Sequence, residues 1–88
     1  MSPELETLDQ LLSGMLPLVV IRDLYPDVDA FRLGVFGLLI SGDVCLLTID
    51  DTDVPSWCWR ELFVEGTVMK ELANMNLKIT PQGARRIG

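Results

Sequence analysis

Eighty-eight residues with 49% hydrophobic side chains, 23% charged side chains and a formal net charge of -6 fit one folded domain. They exclude a disordered chain, and they exclude a second core, because a chain this short buries only ~60–65% of its unfolded surface. The longest uncharged run, residues 10–21, is well short of the ~20 residues of a membrane span, and the first residues lack the basic and then apolar pattern of a secretory leader. The expectation is a cytoplasmic protein that does not enter a membrane. Its charge is uneven: residues 1–68 set Arg22, Arg32 and Arg60 against twelve acids, whereas residues 69–88 set Lys70, Lys78, Arg85 and Arg86 against Glu71.

Taken in order, Ser2-Pro3-Glu4-Leu5-Glu6 predicts a helix start, with a hydroxyl cap, proline in the first turn and acids near the positive end of the helix dipole. Leu5, Leu8, Leu11 and Leu12 form its expected buried stripe, and Ser13-Gly14 stops it. Residues 15–25 predict a short extended lead-in followed by a short helix, which Tyr25-Pro26 closes because the residue before proline avoids helical angles. The central unit follows. Val28, Phe31, Val35, Leu38 and Leu39 keep the i, i+3, i+4, i+7 spacing of a buried helical face, with Asp27 as N-cap and Gly42 as C-cap. Residues 43–49 then read as an apolar strand.

Asp50-Asp51-Thr52-Asp53 is a turn by composition. Residues 57–63 read two ways: alternation pairs Trp57 with Trp59 on one strand face, while helical spacing pairs Trp59 with Leu62 and Phe63. A returning strand is the expectation. Gly66-Thr67 resets the chain, Val68, Met69, Leu72 and Met75 space as a short amphipathic helix, and residues 77–79 alternate as a strand. Thr80-Pro81-Gln82 then opens a terminal helical turn through Ala84, Arg85 and Ile87.

Helix, short strand, helix, longer helix, strand, turn and strand is an order that resembles the winged-helix (winged helix-turn-helix) superfamily. Residues 77–87, with their strand, Thr-Pro and glycine, look like the close of the wing in bacterial winged-helix transcription regulators, and residues 38–44 look like the end of the recognition helix. The resemblance implies a small α+β domain: a three-helix core, a short antiparallel β-wing and a short C-terminal helix. It also implies that the third helix enters the DNA major groove. One departure stands out, since the wing between Ile49 and Leu77 is long and carries both tryptophans.

The charges oppose the function that the resemblance implies. Duplex DNA attracts proteins mainly through phosphate neutralisation, yet the helix of residues 28–41 offers Arg32 beside Asp27 and Asp29, and the wing opens on three aspartates. Lys78, Arg85 and Arg86 complete the candidate nucleic-acid contacts. The same helix carries a stripe of small residues, Asp27, Ala30, Gly34, Gly37 and Ser41, and an apolar stripe, Leu33, Phe36 and Ile40, greasier than a three-helix domain of this size requires. Either the chain's own wing or N-terminal helix fills that groove, or a partner does. Ala30, Leu33, Gly34, Phe36, Gly37, Ile40, Trp57 and Trp59 are the candidate residues for a protein partner or a homodimer. The leading expectation is a non-enzymatic, regulatory protein that acts through protein–protein interaction, and the alternative is a DNA-binding transcriptional regulator.

Catalysis has little to stand on. There is no histidine, so acid–base chemistry would rest on carboxylates, lysine or cysteine. Cys45 lies in an apolar strand and Cys58 between two tryptophans, neither with the electropositive setting that activates a thiol. Gly34 and Gly37 lack the lysine and hydroxyl of a nucleotide loop, and Asp50, Asp51 and Asp53 lack the glycine and distal glutamate of a calcium loop. No cofactor, metal or catalytic residue is expected.

Overall fold

The computed structural model describes residues 2–66 and 68–87. They form a small α+β fold of six α-helices, a 3₁₀ turn and a three-stranded antiparallel sheet. Helix α1 (Pro3–Leu11) starts as its sequence dictates, with the Leu5 N–H donating to Ser2 Oγ at 3.3 Å. Its buried face is Thr7, Leu8 and Leu11, while Leu5 and Leu12 reach solvent. The expected leucine stripe is thus shifted towards Thr7. That hydroxyl is able to go inside because it donates to the Pro3 carbonyl at 2.7 Å and pairs with the Tyr25 hydroxyl at 3.1 Å, leaving no buried polar atom without a partner there.

Strand β1 (Leu16–Pro17) and helix α2 (Leu18–Arg22) follow. Helix α3 (Val28–Ser41) is capped at both ends by the residues that its sequence offers: Asp27 accepts the Ala30 N–H at 2.8 Å, and Gly42 takes the left-handed conformation, φ 84°. Phe31, Val35, Leu38 and Leu39 bury its inner face. Strand β2 (Val44–Thr48) pairs antiparallel with β3 (Met75–Ile79) from Val44↔Ile79 to Thr48↔Met75, and β3 pairs on its other side with β1 at Leu16↔Leu77. The sheet order is β1-β3-β2.

Between β2 and β3 the chain departs from expectation. Residues 57–63 are helical: α4 (Ser56–Phe63) packs on α3. Successive residues of a helix are turned by about 100°, so Trp57 and Trp59 face opposite ways. Trp59 is half-buried, its indole N–H donating to the Val54 carbonyl at 3.2 Å, and Phe63, one turn on, is fully buried with its ring 6.3 Å from that of Phe31. Burial of Phe63 favours the helical period; Trp57 stays outside. Helix α5 (Val68–Glu71) is a single turn, a 3₁₀ turn (Leu72–Asn74) follows, and Met75 already belongs to β3. Thr67, which was expected to reset the chain with Gly66, lies outside the described residues. The long connection is therefore a helical layer folded back on the core.

Helix α6 (Pro81–Ile87) closes the chain. Thr80 caps it, accepting the Gly83 N–H at 3.1 Å, and donates its own hydroxyl to the Gly42 carbonyl at 2.6 Å. Among the described residues no helix is long and apolar enough to cross a membrane.

Candidate functional site

Spacing along α3 puts Asp29, Leu33, Phe36, Gly37 and Ile40 on one outward stripe. Leu33 and Ile40 are 64% and 65% exposed, Phe36 is half-buried beside them, and nothing stands within 4 Å of the place where a β-carbon of Gly37 would sit. Beside the stripe runs a groove of about 290 Å³, with Gly34, Gly37, Leu38, Glu4 and Arg86 among the residues that line it.

The two interior glycines of α3 have different causes. Gly34 is covered: a β-carbon there would stand 2.5 Å from Tyr25 Cε2, so the tyrosine ring occupies what the sequence showed only as a small residue. At Gly34 the chain's own occupant is this ring, while α4, from the expected wing, and α1 also pack on α3, with Glu4 of α1 lining the groove. Burial pushes the Tyr25 phenol up to about 12, partly countered by its bond to Thr7. Gly37 has no such neighbour, and its missing side chain leaves the groove open. Ala30 is half-buried on the same helix. Trp57 is 79% exposed on α4, whereas Trp59 belongs to the packing of its own layer. Exposure therefore separates the candidate partner residues: Leu33, Gly37, Ile40 and Trp57 are available, Ala30 and Phe36 are half-covered, and Gly34 and Trp59 serve the fold.

The candidate nucleic-acid contacts do not converge. Arg32 is held at 2.5 Å by Asp29, its Nε is buried, and a β-carbon added at Gly66 would stand 3.0 Å from its Nη1. Lys78 is exposed on β3 and shares a shallow depression with Asp51 and Asp53. Arg85 is exposed on α6, while the guanidinium of Arg86 is bound to Asp43.

Asp43, which the sequence reading passed over, is the centre of a knot. It is 1% exposed, and besides Arg86 it accepts the Ser41 hydroxyl at 3.0 Å and the Gln82 amide at 3.3 Å. Its backbone carbonyl accepts the Thr80 N–H at 3.0 Å, and Gln82 also donates to the Ser41 carbonyl at 2.6 Å. Gly83 passes so close that a β-carbon would run into the Asp43 carbonyl. Residues 41–43 and 80–86 thus hold the end of α3 to α6. Short polar clusters stand at both places in the sequence, but their pairing across about forty positions carries no local signal.

No protein-family model, curated protein or solved structure matches this chain. The functional reading rests on the geometry alone. Burial raises the thiol of Cys45 above its ordinary range, with Asp53 adding to the shift, so its thiolate, the nucleophilic form, is disfavoured at neutral pH. Among the described residues no group of three or more Cys, Asp or Glu side chains is placed to hold a metal ion.

Proposed function

We propose that this chain is a winged-helix-like, non-enzymatic protein of the cytoplasm that acts by binding another protein through the outer face of α3. The order of α1, β1, α2, α3, β2 and β3, with β3 between the other strands, supports the winged-helix part of this reading. The observation that carries the functional part is the exposure of Leu33 and Ile40 on the helix that a winged-helix DNA reader would present to bases. A surface meant for DNA offers long polar donors and free cations. Here the outer stripe is apolar from Leu33 to Ile40, and both arginines nearest to it are engaged by Asp29 and Asp43.

The competing function is DNA recognition by Lys78 and Arg85, the exposed candidate cations outside the pairs with Asp29 and Asp43. Titration of a labelled duplex at low salt, where phosphate attraction is strongest, separates the two. The expected result is no saturable binding. Saturable binding that falls steeply with salt and is lost in a Lys78→Glu/Arg85→Glu variant would overturn the proposal. Arg86 is left intact in that variant because reversing its charge would also break the contact to Asp43.

A further inference from the structure

We propose that the groove beside Gly37 receives one amphipathic helix of a partner protein, with apolar residues at i, i+3 or i+4 and i+7 and with lysine or arginine on its flanks. This rests on the reading of α3 as a protein-binding face and adds the chemistry of the occupant.

Area argues for a single helix. The 14 residues of α3 span ~21 Å, and the free apolar stripe on it is one side chain wide, with the groove beside it. A stable homodimer buries ~800 Å² on each partner, about a sixth of the 5008 Å² that this chain exposes, more than such a stripe supplies. A helix laid into a groove needs only anchors on one face, spaced as Leu33, Gly37 and Ile40 are. The gap over Gly37 accommodates an inserted side chain, and Leu33 and Ile40 flank it.

Charge argues for a basic flank. The cations that border the stripe are neutralised, Arg32 by Asp29 and Arg86 by Asp43. Of the charged side chains that line the groove this leaves the carboxylate of Glu4, and on the outward stripe Asp29 is 77% exposed. A second copy would bring the same acids and another net charge of -6. A basic helix complements them and associates faster for it.

The test uses two synthetic 14-residue helical peptides with leucine at the anchor positions, one with lysine and one with glutamate at the flanks. They are titrated against the full chain and against a Leu33→Asp/Ile40→Asp variant, whose fold is checked by its amide spectrum. Because both positions are exposed, the variant is expected to fold. The expected result is that the lysine peptide binds, and that the glutamate peptide and the variant each weaken binding by about tenfold or more. Equal binding of both peptides to wild-type α3, lost in the variant, overturns the basic partner and leaves α3 a protein-binding face. Undiminished binding of the lysine peptide to the variant overturns the α3 site itself. No binding of either peptide overturns the helical occupant. Self-association in their absence that the variant abolishes assigns the face to a second copy instead.

Discussion

Replacing Gly37 with alanine separates an open groove from a filled one. Glycine inside a helix costs about 0.8–1 kcal/mol relative to alanine, because the unfolded chain has more freedom to lose. At Gly37 nothing lies within 4 Å of the added carbon, so no packing cost offsets that gain. An 88-residue chain has an unfolding entropy of ~0.18 kcal/mol/K at about 2.1 cal/mol/K per residue, and a gain of ~1 kcal/mol therefore raises Tm by ~5 °C. Gly34→Ala is the internal control. Its β-carbon would meet the buried Tyr25 ring at 2.5 Å, and because that ring is pinned by Thr7 and packed edge-on against Phe31, it is expected to lose about 1–3 kcal/mol. Calorimetry on the two variants gives opposite signs if the space is as described. A Gly37→Ala variant that is no more stable than the wild type would refute the open groove. The same variant narrows the groove, so a more stable protein is expected to bind the lysine peptide less well.

Phe63→Ala is expected to cost about 3–5 kcal/mol in urea unfolding, because the ring is fully buried against Phe31; Trp57→Ala, at an exposed position, is expected to stay within about 0.5 kcal/mol. Asp43→Ala removes the acceptor that Arg86, Ser41 and Gln82 share and is expected to lose about 2–3 kcal/mol, with hydrogen exchange rising first in α6. The Tyr25 phenol has its folded pKa raised from 10.0 to about 12. The neutral phenol is thus the form that folding favours: its contribution is fully present below pH 10, the unfolded value, and is lost as the pH rises through about 12. Stability measured across that window is expected to fall more steeply in the wild type than in Tyr25→Phe.

Local rules made much of the fold legible. Ser2, Asp27 and Gly42 each sit where a helix end leaves donors or acceptors unmet, and each acts as its side chain or backbone allows. The inner face of α3 followed from spacing alone. Residues 57–63 did not, because two tryptophans two apart satisfy a strand period and only the distant ring of Phe31 decides for the helix. The pairing of Arg32 was legible in part: Asp29 stands one helical turn before it and does bind it, while the approach of the distant Gly66 to its guanidinium carries no local signal. In the candidate site, Leu33 and Ile40 were readable as excess apolar surface. The difference between Gly34 and Gly37 depended on where the Tyr25 ring comes to rest.

The most direct measurement is amide chemical-shift mapping of the labelled protein at low salt, with the lysine peptide added to one sample and duplex DNA to another. Shifts centred on Leu33, Gly37 and Ile40 with the peptide, and an unchanged spectrum with the duplex, are the expected result. Shifts at Lys78 and Arg85 with the duplex, and an α3 that ignores the peptide, would contradict the account.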